Sequence, residues 1–128
     1  MAREILFRGK RTGNGEWVEG HLIVYPKTKR TKILVWEWAD LEFNAIEVRS
    51  ETVGQYTGLT DKDGNRIFEG DIVERLGDKC IVRWIEKDAK FIIIGGMTKL
   101  DFSLFFAEHL EIIGNIHDNP ELLNGTES

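Results

Sequence analysis

Four carboxylates fall within eleven residues at Asp61, Asp63, Glu69 and Asp71, and hard oxygen donors at that density are what a calcium or magnesium ion would need. The register of a calcium loop excludes that use. With Gly64 at the sixth position, the first and twelfth ligand positions fall on Leu59 and Gly70, and neither can donate a carboxylate. The preferred reading is structural: Asp61 and Asp63 shape an Asp-Gly turn through side-chain bonds to nearby backbone, while Glu69 and Asp71 flank a solvent-facing Gly70. A general acid/base pair of Glu69 and Asp71 meets the same objection, because same-face neighbours on a strand are ordinarily solvated charges.

The second group with chemistry is cationic. Arg3, Arg8, Lys10, Arg11, Lys27, Lys29, Arg30 and Lys32 crowd the first third of the chain, interleaved with Phe7, Trp17 and Tyr25. Cations for phosphates and rings for base stacking are the residue types of a single-strand groove. Arg8, Lys10, Arg11, Lys27, Lys29 and Arg30 are therefore the candidate nucleic-acid contacts. The plainer alternative has Lys and Arg keeping the loop Pro26 to Lys32 solvated while the aromatics enter the core.

Other catalytic patterns fail on spacing. His21, His109 and His117 show no ligand spacing, and neither His-Glu-x-x-His nor a P-loop occurs. Gly95-Gly96-Met97-Thr98-Lys99 lacks the four-residue spacer that wraps a phosphate and reads as a hairpin turn. Ser50, Ser103 and Ser128 have no Gly-x-Ser-x-Gly setting. The single cysteine, Cys80, excludes an internal disulfide and reads as a buried structural thiol. The expectation is a protein that is not an enzyme, with no cofactor, no metal and no evident small-molecule substrate.

Charge and size bound the partners. The net charge of -5 is uneven: residues 1–35 hold eight Lys/Arg against three Asp/Glu, and the rest hold nine against nineteen, so +5 is followed by -10. Nucleic-acid binding over most of the surface does not fit that balance, although a local basic patch does. A chain of 128 residues, 41% apolar, fits one domain or two small lobes and needs no metal or disulfide for stability. The N-terminus has no signal-peptide apolar region and no stretch approaches a membrane span, which predicts a cytoplasmic protein without membrane attachment.

The elements that position these residues are strands. Thirteen glycines and the turn pairs Asn14-Gly15 and Asp63-Gly64 punctuate short segments rich in Val, Ile, Trp, Phe and Thr. Strands are expected near residues 4–8, 16–25, 31–38, 45–48, 67–75, 79–86, 90–94 and 109–113. Leu34, Trp36 and Trp38 alternate with Ile33 and Val35, which predicts a central strand covered on both faces. A short helix is expected from Asp101 to His109, with Leu100, Leu104 and Phe105 as its apolar stripe. The run Phe102 to Phe106 offers either an assembly surface or core filling.

An internal echo organises the whole. Phe7-Arg8-Gly9 followed by Asn14-Gly15 and Glu16-Trp17-Val18-Glu19-Gly20-His21-Leu22-Ile23 resembles Tyr56-Thr57-Gly58 followed by Asp63-Gly64 and Asn65-Arg66-Ile67-Phe68-Glu69-Gly70-Asp71-Ile72-Val73. Each copy reads as a strand, a turn-closed loop and a second strand broken by glycine where the chain bends or admits a neighbour's backbone. Two related β-lobes follow, 1–52 and 53–128.

The run Thr52-Val53-Gly54-Gln55-Tyr56-Thr57-Gly58-Leu59-Thr60-Asp61-Lys62-Asp63-Gly64-Asn65-Arg66-Ile67-Phe68-Glu69-Gly70-Asp71-Ile72-Val73 resembles the central signature of the YopX family. Ile5 to Lys10, Asn14 to Gly20 and Ile112 to Leu123 agree in the family's order. The resemblance implies a single YopX-like domain over 1–128, encoded on phages or prophages of bacteria, mainly β (α+β at most) with partial β-barrel character, and carries over no catalytic residues. The combined expectation is a binding or assembly module that self-associates through β edges as a homo-oligomer. The alternative is a phage accessory protein binding nucleic acid with its basic N-terminal third.

Overall fold

A computed structural model describes residues 4–96, 98–103 and 107–126. Among them, eleven strands and three short 3-10 turns carry the fold. The chain divides into two compact units, Met1–Tyr56 and Thr57–Ser128.

The first unit is an antiparallel sheet of β1 (Phe7–Lys10), β2 (Trp17–Val24), β3 (Thr31–Glu37) and β4 (Glu42–Val48), ordered β4-β3-β2-β1. β5 (Gly54–Thr60) starts beside β1, pairing Gln55 with Phe7 and Gly54 with Arg8. Midway, β2 changes partners: Trp17 to Gly20 pair with β1, and His21 to Val24 pair with β3. Gly20 is the pivot, because a Cβ there would collide with the Leu34 carbonyl oxygen; only glycine admits so close a backbone. The same face carries Gly9, over which Val48 packs, and the buried Thr31, Ile33 and Val48. A sheet turned this strongly brings the ends of β1 and β4 together. Arg11 bridges Val48, the Arg49 N–H donates to Lys10 O at 2.8 Å, and the Thr12 N–H donates to Glu47 O at 3.1 Å. Thr52, in the 3-10 turn Ser50–Thr52, pins this corner: its Oγ1 accepts the Lys10 N–H at 2.9 Å and donates to Arg49 O at 2.6 Å. That single bridge is the extent of barrel character here, and the sheet is not closed into a barrel.

In the second unit, the later half of β5 lies beside β6 (Arg66–Phe68). A separate antiparallel sheet is ordered β10 (Lys99–Asp101), β9 (Lys90–Gly95), β8 (Asp78–Ile85), β7 (Asp71–Arg75), β11 (Glu111–Asn115). Ile67, Val73, Cys80, Val82, Ile93 and Leu110 are fully buried at its centre, with Leu59, Phe91 and Phe102 packed against them. Alternation along β8 turns Cys80 and Val82 inward and Arg83 outward, as period-two patterning requires. β7 and β8 are joined by Leu76 at φ +50° and Gly77 at φ +84°, the pair of left-handed residues that a two-residue hairpin needs.

Most expected strands are present within a few residues. Three expectations change. The stretch read as one strand at 67–75 is β6 and β7, separated by a tight turn at Glu69–Gly70 with Gly70 at φ +92°. β3 is central within its sheet but not covered on both faces: Ile33 is fully buried, whereas Trp36 and Trp38 are 38% and 78% exposed. Asp101, the expected start of a helix, is the end of β10 and pairs with Ile92. Leu104, Phe105 and Phe106 lie outside the described residues. The Ala107 N–H donates to Ser103 O at 2.9 Å.

Three substitutions check this account. Gly20→Ala is expected to cost about 1–3 kcal/mol or more, since overpacking here meets backbone. Gly13→Ala, with open space around its Cβ, is expected to be neutral or slightly stabilising; urea denaturation measures both. Leu76→Asn is expected to stabilise by about 1 kcal/mol, because Leu76 is 92% exposed and a leucine in the left-handed region costs roughly 1–2 kcal/mol that asparagine largely avoids.

Candidate functional site

Two of the four clustered carboxylates, Asp61 and Asp71, take structural roles. Asp61 is buried, 4% exposed. Its Oδ1 accepts the N–H groups of Asp63 and Asn65, both at 2.9 Å, and its Oδ2 accepts the Ile112 N–H at 3.1 Å and the Asn65 side-chain amide at 3.5 Å. Burial pushes the Asp61 pKa up, but the donors from Asn65, Ile112 and Asp63 outweigh it and hold the carboxyl below its ordinary value. Asp71, 1% exposed, accepts the Phe68 N–H at 2.7 Å and closes the β6–β7 turn. Gly70 between them is buried, not solvent-facing as its polar neighbours suggest. Its N–H donates to Val82 O at 2.8 Å and its carbonyl accepts the Ile116 N–H at 2.9 Å. Asp63 is exposed. Among the described residues no group of three or more His, Cys, Asp and Glu is placed to hold a metal ion.

The cationic candidates do not form one patch. Arg8 and Lys10 lie against the Trp17 ring, 4.8 Å and 5.7 Å from its centroid, and Arg8 Nε and Nη2 are shut away from solvent. Alternation directs Arg11 to the opposite face, where its backbone bridges Val48. Lys27, Lys29 and Arg30 stand on the turn between β2 and β3, exposed. Arg30 is engaged in a bidentate pair with Glu47, both contacts at 2.8 Å. The pair raises the Arg30 pKa and lowers that of Glu47, chiefly through the shared hydrogen bonds.

What charge did not indicate is an aromatic surface. On the face of β2, β3 and β4 opposite Ile33 and Val48 stand His21, Trp36 and Phe43, with Trp36 directly across from Phe43. Their rings meet edge to face, Trp36–Phe43 at 5.1 Å and His21–Phe43 at 6.2 Å, and Trp38 continues the group 5.7 Å from Trp36. Phe43 is 52% exposed and Leu41, in the adjoining turn, 69%. Aromatic side chains gain most from burial, so this group of rings left in solvent is the candidate interaction surface.

The backbone beside it is equally open. β4 ends the sheet order, and only its last residues are paired outward, through Glu47 O and Arg49 N–H. By alternation the N–H and C=O groups of Phe43 and Ala45 point to the same outer edge, where no backbone partner meets them among the described residues.

The YopX protein family matches residues 6–124, nearly the whole chain. The chain belongs to the YopX family. No curated protein matches it. Among solved structures, the crystal structure of protein EF1440 from Enterococcus faecalis is similar over 96% of this chain and 100% of that one, with a TM-score of 0.59 and 23% identity. That likeness supports the fold and nothing finer.

Within this YopX-family chain several further polar groups among the described residues are occupied or enclosed. Cys80 is fully buried, and burial raises its thiol pKa. The Thr98 hydroxyl donates to Asp78 Oδ2 at 2.6 Å. The His117 N–H donates to Asn115 Oδ1 at 3.0 Å within a turn. A cleft of about 240 Å³ beside Ile85, Ile92 and Leu100 is bordered by the Lys90–Asp101 ion pair at 2.9 Å. No helix among the described residues is long and apolar enough to cross a membrane. The aromatic surface was hidden in sequence because alternation identifies two faces without saying which one is covered; its one signal was the density of Trp36, Trp38 and Phe43 around an acidic turn.

The role of Asp61 is testable by pH. A carboxylate whose folded pKa is depressed stabilises the protein above its unfolded value, near pH 4, and loses that contribution as pH falls through the folded pKa. Asp61→Asn is expected to destabilise by roughly 2–3 kcal/mol at pH 7, the scale of a hydrogen-bonded charge. The gap from the parent protein should narrow as pH is lowered below about 4. Urea midpoints at pH 7 and pH 3 measure it.

Proposed function

We propose that this protein is a binding and assembly module, not a catalyst, and that it self-associates by pairing the outer edge of β4 with β4 of a second copy. The observation that carries this is the open edge at Phe43 and Ala45 beside exposed aromatic rings. Exposed edges are templates for strand addition, and proteins that avoid it place lysine, proline or a bulge there. β4 reads Glu42-Phe43-Asn44-Ala45-Ile46-Glu47-Val48, with no lysine or proline, and its charges Glu42 and Glu47 flank an uncharged centre.

The pairing suits a two-fold axis. An antiparallel match centred on Asn44 sets Phe43 of each copy opposite Ala45 of the other and Glu42 opposite Ile46, so no like charges face each other directly and the Glu47 carbonyl keeps its Thr12 partner. The commitment of Asp61 and Asp71 to backbone N–H groups supports a non-catalytic reading, since it occupies the chain's densest carboxylate cluster. The phage or prophage setting implied by the family gives the working context as the cytoplasm of a bacterial host.

Light scattering is expected to give a dimer mass at high micromolar concentration. Ala45→Pro removes an outward N–H without touching a β3 bond and is expected to return the monomer mass with little change in circular dichroism. A monomer mass for the parent protein at that concentration would count decisively against assembly through this edge.

A further inference from the structure

The outer face of the first unit has a second property that strand pairing does not use. Trp17, His21, Trp36 and Phe43 share this face with Lys10 and Lys32. Lys10 Nζ lies 5.7 Å from the Trp17 centroid, and Lys32 Nζ lies 5.4 Å from that of Tyr25. Trp17 and Tyr25 mark the two ends of β2, so the cations stand at opposite margins with rings between them. Eight steps of strand span roughly 26 Å, room for about four nucleotides, the lower end of known single-strand site sizes.

Charge on this face differs from the chain as a whole. Its acids are Glu19 and Glu47, and Glu47 is already neutralised by Arg30. Glu37 and Glu42 alternate to the other face. Lys27 and Lys29 extend the positive margin at the β2–β3 turn. A polyanion is therefore attracted to the margins that carry Lys10, Lys27, Lys29 and Lys32, while the acidic turn of Glu37, Asp40 and Glu42 beside Trp38 limits how far along β3 it extends. Duplex DNA needs a broader array of cations and buries its base faces, which leaves exposed rings without a role. A flexible strand with unstacked bases uses both.

We propose that the outer face of β2, β3 and β4 binds a short single-stranded nucleic acid, with bases stacked on Trp36 and Phe43 and phosphates held at Lys10 and Lys32. The site differs from the one that cation density alone picks out: Arg8 is enclosed and Arg11 lies on the opposite face. It is also separable from self-association, which uses the backbone edge of β4.

Fluorescence anisotropy with fluorescein-labelled dT12 and rU12, using the full chain at 50 mM KCl, tests the proposal. Saturable micromolar binding is expected, with quenching of tryptophan emission and a log-log salt slope of about -1.4, since each of the two phosphate contacts on a single strand contributes about -0.7. Trp36→Ala and Phe43→Ala are each expected to weaken binding by roughly fivefold to a hundredfold, and Trp36→Phe to retain most of it. Lys32→Gln should make the slope shallower by about 0.7. Repeating the titration in Ala45→Pro removes any contribution from assembly and is expected to leave affinity within about twofold. The proposal is overturned by no anisotropy change at 100 μM protein, by equal affinity for a 12-base-pair duplex, or by insensitivity to Trp36→Ala and Phe43→Ala when Lys27→Gln and Lys29→Gln abolish binding. The first result would assign the aromatic face to a protein partner.

Discussion

Buried backbone N–H groups need acceptors wherever a strand bends or ends, and two buried carboxylates meet that need in the second unit. Asp61 gathers the N–H groups of Asp63, Asn65 and Ile112, tying the loop before β6 to the start of β11. Asp71 takes the Phe68 N–H and permits β6 to turn into β7 within two residues. An ionised carboxylate accepts several donors at once, which neutral side chains do less well. The apolar centre around Val73, Val82 and Ile93 can then assemble without orphaned polar groups at its rim. The carboxylates that first suggest a metal loop are consumed in this way.

The first unit meets its bend differently. Gly20 lets β2 pass from one partner to another because the Leu34 carbonyl occupies the space of a side chain. In the echoed segment Gly70 stands at the matching sequence position yet takes φ +92° and closes a turn. One glycine is required for close approach and the other for a left-handed backbone. The sequence motif Glu-Gly-polar-apolar-apolar therefore does not by itself specify which of the two solutions is adopted.

Leaving Trp36, Trp38 and Phe43 in solvent forgoes burial that each ring could have gained, about 25 cal/mol for every Å² of apolar area. Their edge-to-face packing recovers part of that. The open edge of β4 runs alongside, so the two modes of association proposed for this protein, by backbone pairing and by ring stacking, would use neighbouring but chemically distinct groups.

Sequence alone determined the β class, the family and the approximate place of most strands, because glycine punctuation and period-two alternation are local properties of the chain. It also pointed to Asp61 as a turn-forming side chain, since the calcium register fails on Leu59 and Gly70, whereas Asp63 contributes its backbone N–H to that turn. Glycine punctuation and alternation did not delimit β5, which only the internal echo at Tyr56-Thr57-Gly58 indicated because Gly58 at φ +92° interrupts the alternation, and they missed the three-residue β10. Only tertiary structure decided that Asp61 reaches Ile112, fifty-one residues away, that Gly70 is buried, and that the tryptophan face of β3 is the uncovered one. Alternation assigns residues to opposite faces, but which face meets the core depends on what packs against it, and that information lies in distant parts of the chain.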